Sequence, residues 1–414
     1  MTLVIERPAA PASTMPQNPA VAMSELLERA RALVPALRER SSDTERARRV
    51  PVANIAAMRE AGLFRLMGPT RFGGLERSFN DLVDVGVEIG RGCGSTAWAF
   101  GLVSIHHWIL ATFPAETQEE IFGANPDVVI CGSYAPVAKA VAVPGGYTVQ
   151  GSWGFASNCD NAQWSLLGVQ FPPDEATGMP RGPGFVIVPS KDHEIDDNWQ
   201  TVGLCGTGSK TIVIREPLFV PAHRVLTYAE AASNEPPGAR VNANTIYRVP
   251  FLAAIPASLV APAIGMVRGA IDDFLAMASV RVTRGAVAGG GRSMAEFQTV
   301  QLRVAEASAK VDAARLLIER DLRDVEQCAA RGEAITIDQR IRNRRDQAFA
   351  VKLCAEAIDA MYAAVGGGGI YLSNRVQQTW RDVNAVAKHI SLNWDAVGSM
   401  YGQHVLGLPP QGQY

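Results

Sequence analysis

The sequence lacks the marks by which many enzyme and binding classes can be read directly from a chain. Its six cysteines, Cys93, Cys131, Cys159, Cys205, Cys328 and Cys354, are scattered, with no CxxC pair and no metal-ligand spacing. That pattern argues for reduced thiols in a cytoplasmic protein, with neither disulfides nor a structural zinc expected. An excess of one charge is missing as well: 39 Lys and Arg stand against 41 Asp and Glu, so neither nucleic acid nor an anionic membrane is an expected partner. The only apolar stretch at the start is broken by Glu6 and Arg7, so no secretory segment or membrane span forms there, and residues 1–22 are expected to be a flexible tail. There is no GxxxxGK(S/T) phosphate loop, no HExxH, no GxSxG elbow and no GxGxxG placed between a strand and a helix. Hydrolases, kinases and nicotinamide enzymes of the usual folds are thereby disfavoured.

What is present is a chain of 414 residues, long enough to need two or three cooperating layers. It changes character twice. Over residues 23–126 the apolar positions Leu26, Leu27, Ala30, Leu33, Val34 and Leu37 recur at steps of three and four, and Pro51 opens a second short helix, predicting a helical domain. Over residues 127–228 that rhythm gives way to short β-prone runs, among them 128–130, 148–149, 164–167, 184–188 and 211–214, punctuated by Gly and Pro. These predict an antiparallel barrel or sandwich. Over residues 229–414 the helical rhythm returns, with Phe297, Val300, Val304, Ala307, Val311, Ala314 and Ile318 forming one apolar stripe, as in a helical bundle that packs against neighbours.

Five motifs occur in one order. They are the segment 58–64 with Pro69 and 72–74; Gly151-Ser152-Trp153-Gly154-Phe155-Ala156-Ser157-Asn158; Gly203-Leu204-Cys205-Gly206-Thr207-Gly208-Ser209 leading to Phe219-Val220-Pro221; Arg281 with Gln298; and the glycines 366–369 followed by Arg381-Asp382. Together with the α, β, α order, they resemble the acyl-CoA dehydrogenase superfamily across nearly the whole chain. The resemblance implies an α+β fold with an N-terminal helical domain, a central antiparallel β-barrel or sandwich and a C-terminal four-helix bundle. It also implies flavin binding by Trp153, Phe155, Ser157, Arg281, Gln298, Gly367 and Gly368.

One position departs from the dehydrogenase pattern. Where the main type places a glutamate to remove a proton from an acyl thioester, this chain has Ile390, beside His389. An alkyl side chain removes no proton. His389 there resembles instead the oxygenase components of two-component flavin monooxygenases of the p-hydroxyphenylacetate 3-hydroxylase type. That resemblance implies hydroxylation of a phenolic or indole-like aromatic by O2 through a C4a-hydroperoxyflavin. FMNH2, or alternatively FADH2, would come from a separate NAD(P)H-dependent reductase, and the oxygenase would be a homotetramer. It further implies that His107 and Ser133 contact the substrate phenol, that Ser157 lies by flavin N5, and that His389 covers the flavin edge. Independently of the resemblance, Trp108 and Tyr134 are candidate aromatic walls that core burial would explain equally well.

A histidine beside a phenol makes chemical sense, because a phenol ionises near pH 10, like tyrosine, and its attack on electrophilic oxygen is aided by a nearby acceptor for its proton. His106 and His107 point about 100° apart on a helix, so only one faces a given pocket, and His106 is the alternative to His107. Phe251 and Trp394 are further candidate walls, while His193, His223 and His404 have no assigned role. An acyl-thioester dehydrogenase and a non-catalytic flavin-binding protein are the alternative functions.

Overall fold

The computed structural model describes residues 22–173, 178–283 and 291–414. Apart from Ala22, the expected tail at 1–22 lies outside these described residues.

Six helices come first: α1 (Met23–Glu39), α2 (Ser41–Ala47), α3 (Val52–Glu60), α4 (Phe79–Gly92), α5 (Gly94–Leu110) and α6 (Ala115–Phe122). Leu26, Ala30 and Leu37 of the predicted stripe are buried, and Pro51 caps α3 rather than the second helix, because the short α2 intervenes. Ser78 starts α4 by accepting a hydrogen bond from Asp81 N at 3.0 Å, a common N-cap arrangement. Of the 17 residues of α5 only Leu102 is not buried, so this helix is surrounded on all sides.

Eight strands follow: β1 (Ile130–Lys139), β2 (Val141–Val143), β3 (Gly146–Ala156), β4 (Trp164–Gln170), β5 (Pro183–Pro189), β6 (Glu194–Asp196), β7 (Lys210–Pro221) and β8 (Val225–Thr227). They form two four-stranded sheets, ordered β1-β4-β5-β8 and β2-β3-β7-β6. The arrangement is a sandwich and not a closed barrel. Its interior holds Cys131, Val149, Trp153, Leu167, Val186, Val188 and Ile212. One pairing departs from the antiparallel expectation: β1 and β4 run parallel, Ile130 opposite Trp164 and Ser133 opposite Leu167. Between them the chain crosses to the other sheet and back, which brings β4 in alongside β1 in the same direction.

The chain ends in helices α7 (Tyr228–Ala231), α8 (Phe251–Ala254), α9 (Ala257–Val280), α10 (Gln298–Ala330), α11 (Ile337–Val365), α12 (Arg375–Val386) and α13 (Trp394–Val405). Helices α9 to α12 pack on one another as the four-helix bundle, and α4 lies along α9. That crossing is close: a Cβ added at Gly265 would stand 2.8 Å from Gly90 Cα, so glycine is required there. Ala307, Val311, Ala314 and Ile318 of the predicted stripe are buried within α10. The stretch through α8 and α9 is long and apolar enough to cross a membrane, but 89% of its most apolar 18-residue window is buried inside the fold, as in a core helix.

The last helices clasp the first. Arg375 donates to the carbonyls of Arg38 and Gly92, both at 3.0 Å, the Ser41 hydroxyl bonds Gln378 at 3.2 Å, and Asp382 accepts from Leu204 N at 2.6 Å.

Candidate active site

A chain of hydrogen bonds, extended by one ring contact, joins the three parts of the molecule. Trp98, in the first turns of α5, donates its indole N–H to Ser157 Oγ at 3.1 Å. Ser157, just past β3, contacts Ser209 Oγ at 2.7 Å, and Ser209 contacts Thr207 Oγ1 at 2.7 Å. On its other side the Trp98 ring lies edge-on to His389, with centroids 5.8 Å apart. Ser391 N donates to His389 Nδ1 at 3.2 Å, so the neutral ring carries its hydrogen on Nε2 and presents a donor. Burial, aided by the positive charge of Arg344, pushes His389 down to about 4, which keeps the ring neutral at physiological pH.

The backbone around Ser157 is unusual. Phe155 and Asn158 both have φ 61, and Leu204 has φ 53, a conformation non-glycine residues adopt at a cost that functional sites tend to retain. Its consequence at Phe155 is a ring 77% exposed, edge-on to Trp199 at 5.8 Å. Trp153 contrasts with it. That side chain is fully buried between the sheets and donates to Gly168 O at 2.7 Å, so it is sandwich core and offers no face to a ligand, which corrects the expectation drawn from its motif.

The two adjacent histidines separate as the helix geometry requires. His107 lies against Phe122, centroids 5.3 Å apart, and bonds Val128 O at 2.6 Å. His106 turns toward β1, where Tyr134 lies 5.7 Å away edge-on and Gly132 leaves room for the imidazole. A Cβ at Gly132 would come within 2.9 Å of His106 Nε2. The structure thus places His106, and not His107, beside Tyr134. His106 Nδ1 bonds Ile130 O at 2.6 Å, and a carbonyl only accepts, so Nδ1 carries the hydrogen and Nε2 is a bare acceptor. Burial pushes this imidazole down to about 4. Neither His106 Nε2 nor the Tyr134 hydroxyl has a hydrogen-bond partner among the described residues. Phe185 and Phe251 close around Tyr134 at 5.2 and 5.9 Å, and Tyr228 stacks on Phe251 at 5.8 Å.

Other expected site residues lie elsewhere. Ser133 alternates away from Gly132 and Tyr134 along β1 and donates to Gly154 O at 2.7 Å, so it meets neither histidine. Trp108 is core, bonded to Ile246 O at 2.8 Å and packed on Phe79. Trp394 packs on Phe349. His193, His223 and His404 bond Ser165, Glu120 and Asp338, all apart from these groups. Arg281 donates to Val365 O at 2.7 Å beside the glycine run, where Gly366 and Gly367 have open space at their Cβ positions. Gln298, the first residue of α10, is exposed. Trp98 carries no local sequence signal for this role, whereas Thr207 and Ser209 lie inside the glycine-rich motif at 203–209.

Residues 23–122 match the family described as acyl-CoA dehydrogenase, N-terminal domain, and residues 257–394 match the acyl-CoA dehydrogenase, C-terminal domain. The FADH(2)-dependent resorcinol hydroxylase, oxygenase component, of Rhizobium sp. (strain MTP-10005) is 47% identical over 91% of this chain and 93% of its own length. The chain belongs to this family of flavin-dependent oxygenase components. A crystal structure of the 3-HSA hydroxylase from Rhodococcus sp. RHA1 superposes on the oxygenase with TM-score 0.87 at 35% identity, covering 94% of this chain and 98% of that one. XiaF from Streptomyces sp., solved in complex with FADH2 and glycerol, gives TM-score 0.85 at 27% identity over 94% and 97% of the two chains.

The oxygenase is therefore a monooxygenase of acyl-CoA dehydrogenase fold that uses reduced flavin and O2, acts on an aromatic substrate and depends on a separate reductase. Its residues fit the cofactor. Phe155 offers an exposed ring, Ser157 a buried hydroxyl, and the glycine run an open approach beside the Arg281 guanidinium.

Proposed function

We propose that this oxygenase hydroxylates a small phenol of the resorcinol type, held with its hydroxyl between His106 Nε2 and the Tyr134 hydroxyl. The observation that carries the reading is that pair of buried polar atoms without protein partners inside a wall of aromatic rings. Unpaired polar groups in such surroundings cost about 1–3 kcal/mol each, and a ligand hydroxyl that both accepts and donates removes both costs. The surrounding rings suit an aromatic ring.

Reduced flavin, when bound, supplies the two electrons that split O2 between the hydroxyl added to the ring and a water molecule. The protein's part is orientation and proton handling. His106, held near pKa 4, does not take the proton of a resting phenol whose own pKa is about 10. It accepts the hydrogen bond at rest and the proton as positive charge develops on the ring during oxygen transfer. With flavin bound, Ser157 would lie by N5 and His389 would offer its Nε2–H at the flavin edge. Phe155 and Ser157 would line the ring system, with Ser133 fixing the Gly154 carbonyl that precedes Phe155.

Arg281 and residues 366–368 fit a pyrophosphate, and together with the FADH(2) dependence of the Rhizobium relative this supports FADH2 over FMNH2. A homotetramer is supported by the exposed Ile370, Tyr371, Leu372 and, at 84% exposure, Ile390, apolar groups that a neighbouring subunit would cover. Free cysteines support a cytoplasmic protein, and a reductase driven by NAD(P)H completes the system. Ile390 also weighs against acyl-thioester oxidation, since it supplies no base.

The test joins the oxygenase to a flavin reductase, NADH and oxygen-18 gas, with resorcinol and simple monophenols as substrates. One labelled oxygen in a hydroxylated ring is expected. Conversion of all reducing equivalents to hydrogen peroxide with every phenol would overturn the assignment.

A further inference from the structure

The direction of each link in the chain behind Ser157 follows by elimination. Leu204 O accepts from Trp199 Nε1 at 3.0 Å and Thr207 N at 3.1 Å, and the Thr207 hydroxyl, nearest of the three donors at 2.8 Å, gives it its single hydrogen. The contact between Ser209 and Thr207 is therefore made by the Ser209 hydrogen, and the contact between Ser157 and Ser209 by the Ser157 hydrogen. Because Trp98 Nε1–H also donates to Ser157 Oγ, Ser157 retains one lone pair and has no hydrogen to offer.

The terminal carbonyl cannot readily turn away. Leu204 is fixed in the left-handed region at φ 53, its N–H donates to Asp382, and Thr207 N donates back to its carbonyl at 3.1 Å. Asn158 N in turn binds Thr207 O at 2.8 Å, tying the end of β3 to the same loop. Trp98, Ser157, Thr207 and Ser209 are all buried, so water does not substitute for a link.

Flavin N5 reverses its hydrogen-bonding with redox state: it is an N–H donor when reduced and a bare acceptor when oxidised. We propose that Thr207 and Ser209 make this oxygenase selective for reduced flavin, by holding Ser157 as an acceptor for N5–H that has no hydrogen for oxidised N5. This rests on the reading that Ser157 faces N5. Thr207 and Ser209 are positioning residues, acting through the orientation of one hydroxyl. Flavin oxidised in turnover loses that hydrogen bond and is released, which suits an oxygenase that takes each reduced flavin from another protein.

Anaerobic titration of the full-length protein with reduced and with oxidised FAD gives two dissociation constants, and their ratio is read together with the midpoint potential of the bound flavin. Wild type is expected to bind the reduced form more tightly. Ser209→Ala removes the acceptor of the Ser157 hydrogen and frees it for oxidised N5. The ratio should then shrink by about tenfold, the scale of one hydrogen bond, moving the potential about 30 mV to the negative side. Thr207→Val should act in the same direction by releasing Ser209, and Thr207→Ser should restore the wild-type ratio. Should Thr207→Val fail to fold, Ser209→Ala and Thr207→Ser remain sufficient. A ratio that moves in Ser157→Ala but in neither Ser209→Ala nor Thr207→Val overturns the proposal while leaving Ser157 at N5. A ratio unmoved in all of them overturns the placement of Ser157 itself.

Discussion

His106 and Tyr134 face each other across 5.7 Å, each with a buried polar atom that no described residue satisfies. The neighbouring His107 is bonded to Val128 and sealed against Phe122. Each ring bonds one backbone carbonyl and leaves its other nitrogen buried without a side-chain partner, so what separates them is their surroundings: His106 faces Tyr134 and His107 faces Phe122. His106→Ala should lower the hydroxylated product formed per reduced flavin by about a hundredfold, the lower range for loss of a proton acceptor. His107→Ala should leave that yield intact and lower the melting temperature through a lost buried hydrogen bond and a cavity. Product analysis beside thermal denaturation checks both, and equal yields in the two variants would contradict the assignment.

Phe155 combines a left-handed backbone with an exposed ring. Phe155→Gly relieves strain of about 1–2 kcal/mol, in part offset by the flexibility glycine adds to the unfolded chain. The variant should melt at or slightly above the wild-type temperature while binding reduced flavin several-fold more weakly. Calorimetric scans and anaerobic flavin titration provide the two readings, and unaltered flavin affinity would remove Phe155 from the site.

Ser133 restrains the Gly154 carbonyl immediately before Phe155. Ser133→Ala removes that hydrogen bond, worth about 1 kcal/mol, without touching the aromatic wall. Its expected effect is a rise of a few-fold in hydrogen peroxide released per turnover, with substrate affinity unchanged. Peroxide assays against product yield decide it, and a loss of phenol affinity would instead put Ser133 in contact with substrate.

Glu326, on α10, accepts from Phe79 N at 2.6 Å at the start of α4, and burial lifts its carboxyl to about 7. A carboxyl raised in the fold above its unfolded value of 4.5 favours the folded state fully only below that value. This contribution is lost as pH rises through about 7. Glu326→Gln keeps the acceptor and cannot ionise. Its melting temperature should match wild type near pH 5 and exceed it by a few degrees at pH 8.5, reflecting roughly 2–3 kcal/mol. His106 and His389, both lowered to about 4, destabilise the fold as pH falls below about 6.5, but equally in both proteins. Parallel melting curves with pH would refute the burial argument.

The α, β, α order was legible because helical and strand periodicities differ, and the second half of the stripe, Ala307 to Ile318, is the buried face of α10, whereas Val300 and Val304 are only partly buried and Phe297 precedes the helix. The parallel pairing of β1 with β4 was not, because alternation reports which face is buried and says nothing of strand direction. The choice between His106 and His107 failed for a related reason: α5 is apolar all round, so no amphipathic stripe fixes its rotation. Trp153 looked like a ligand contact because its motif neighbours, Phe155 and Ser157, are; strand alternation and the turn at Phe155 send the three side chains to different places. The link from Ser157 through Ser209 to Thr207 joins positions some fifty residues apart and leaves no local trace.

The bond from Leu204 N to Asp382 has a consequence for biosynthesis. The β sandwich is complete in sequence by Thr227, yet the amide that anchors its hydroxyl chain finds its partner only at Asp382, 155 residues further on. At about 5–20 residues per second, a nascent chain spends many seconds with its sheets already synthesised and Ser157 not yet oriented. Competence toward flavin therefore waits on Asp382, and a chain that stops short of it lacks the anchor of Leu204 and with it the fixed orientation of Ser157.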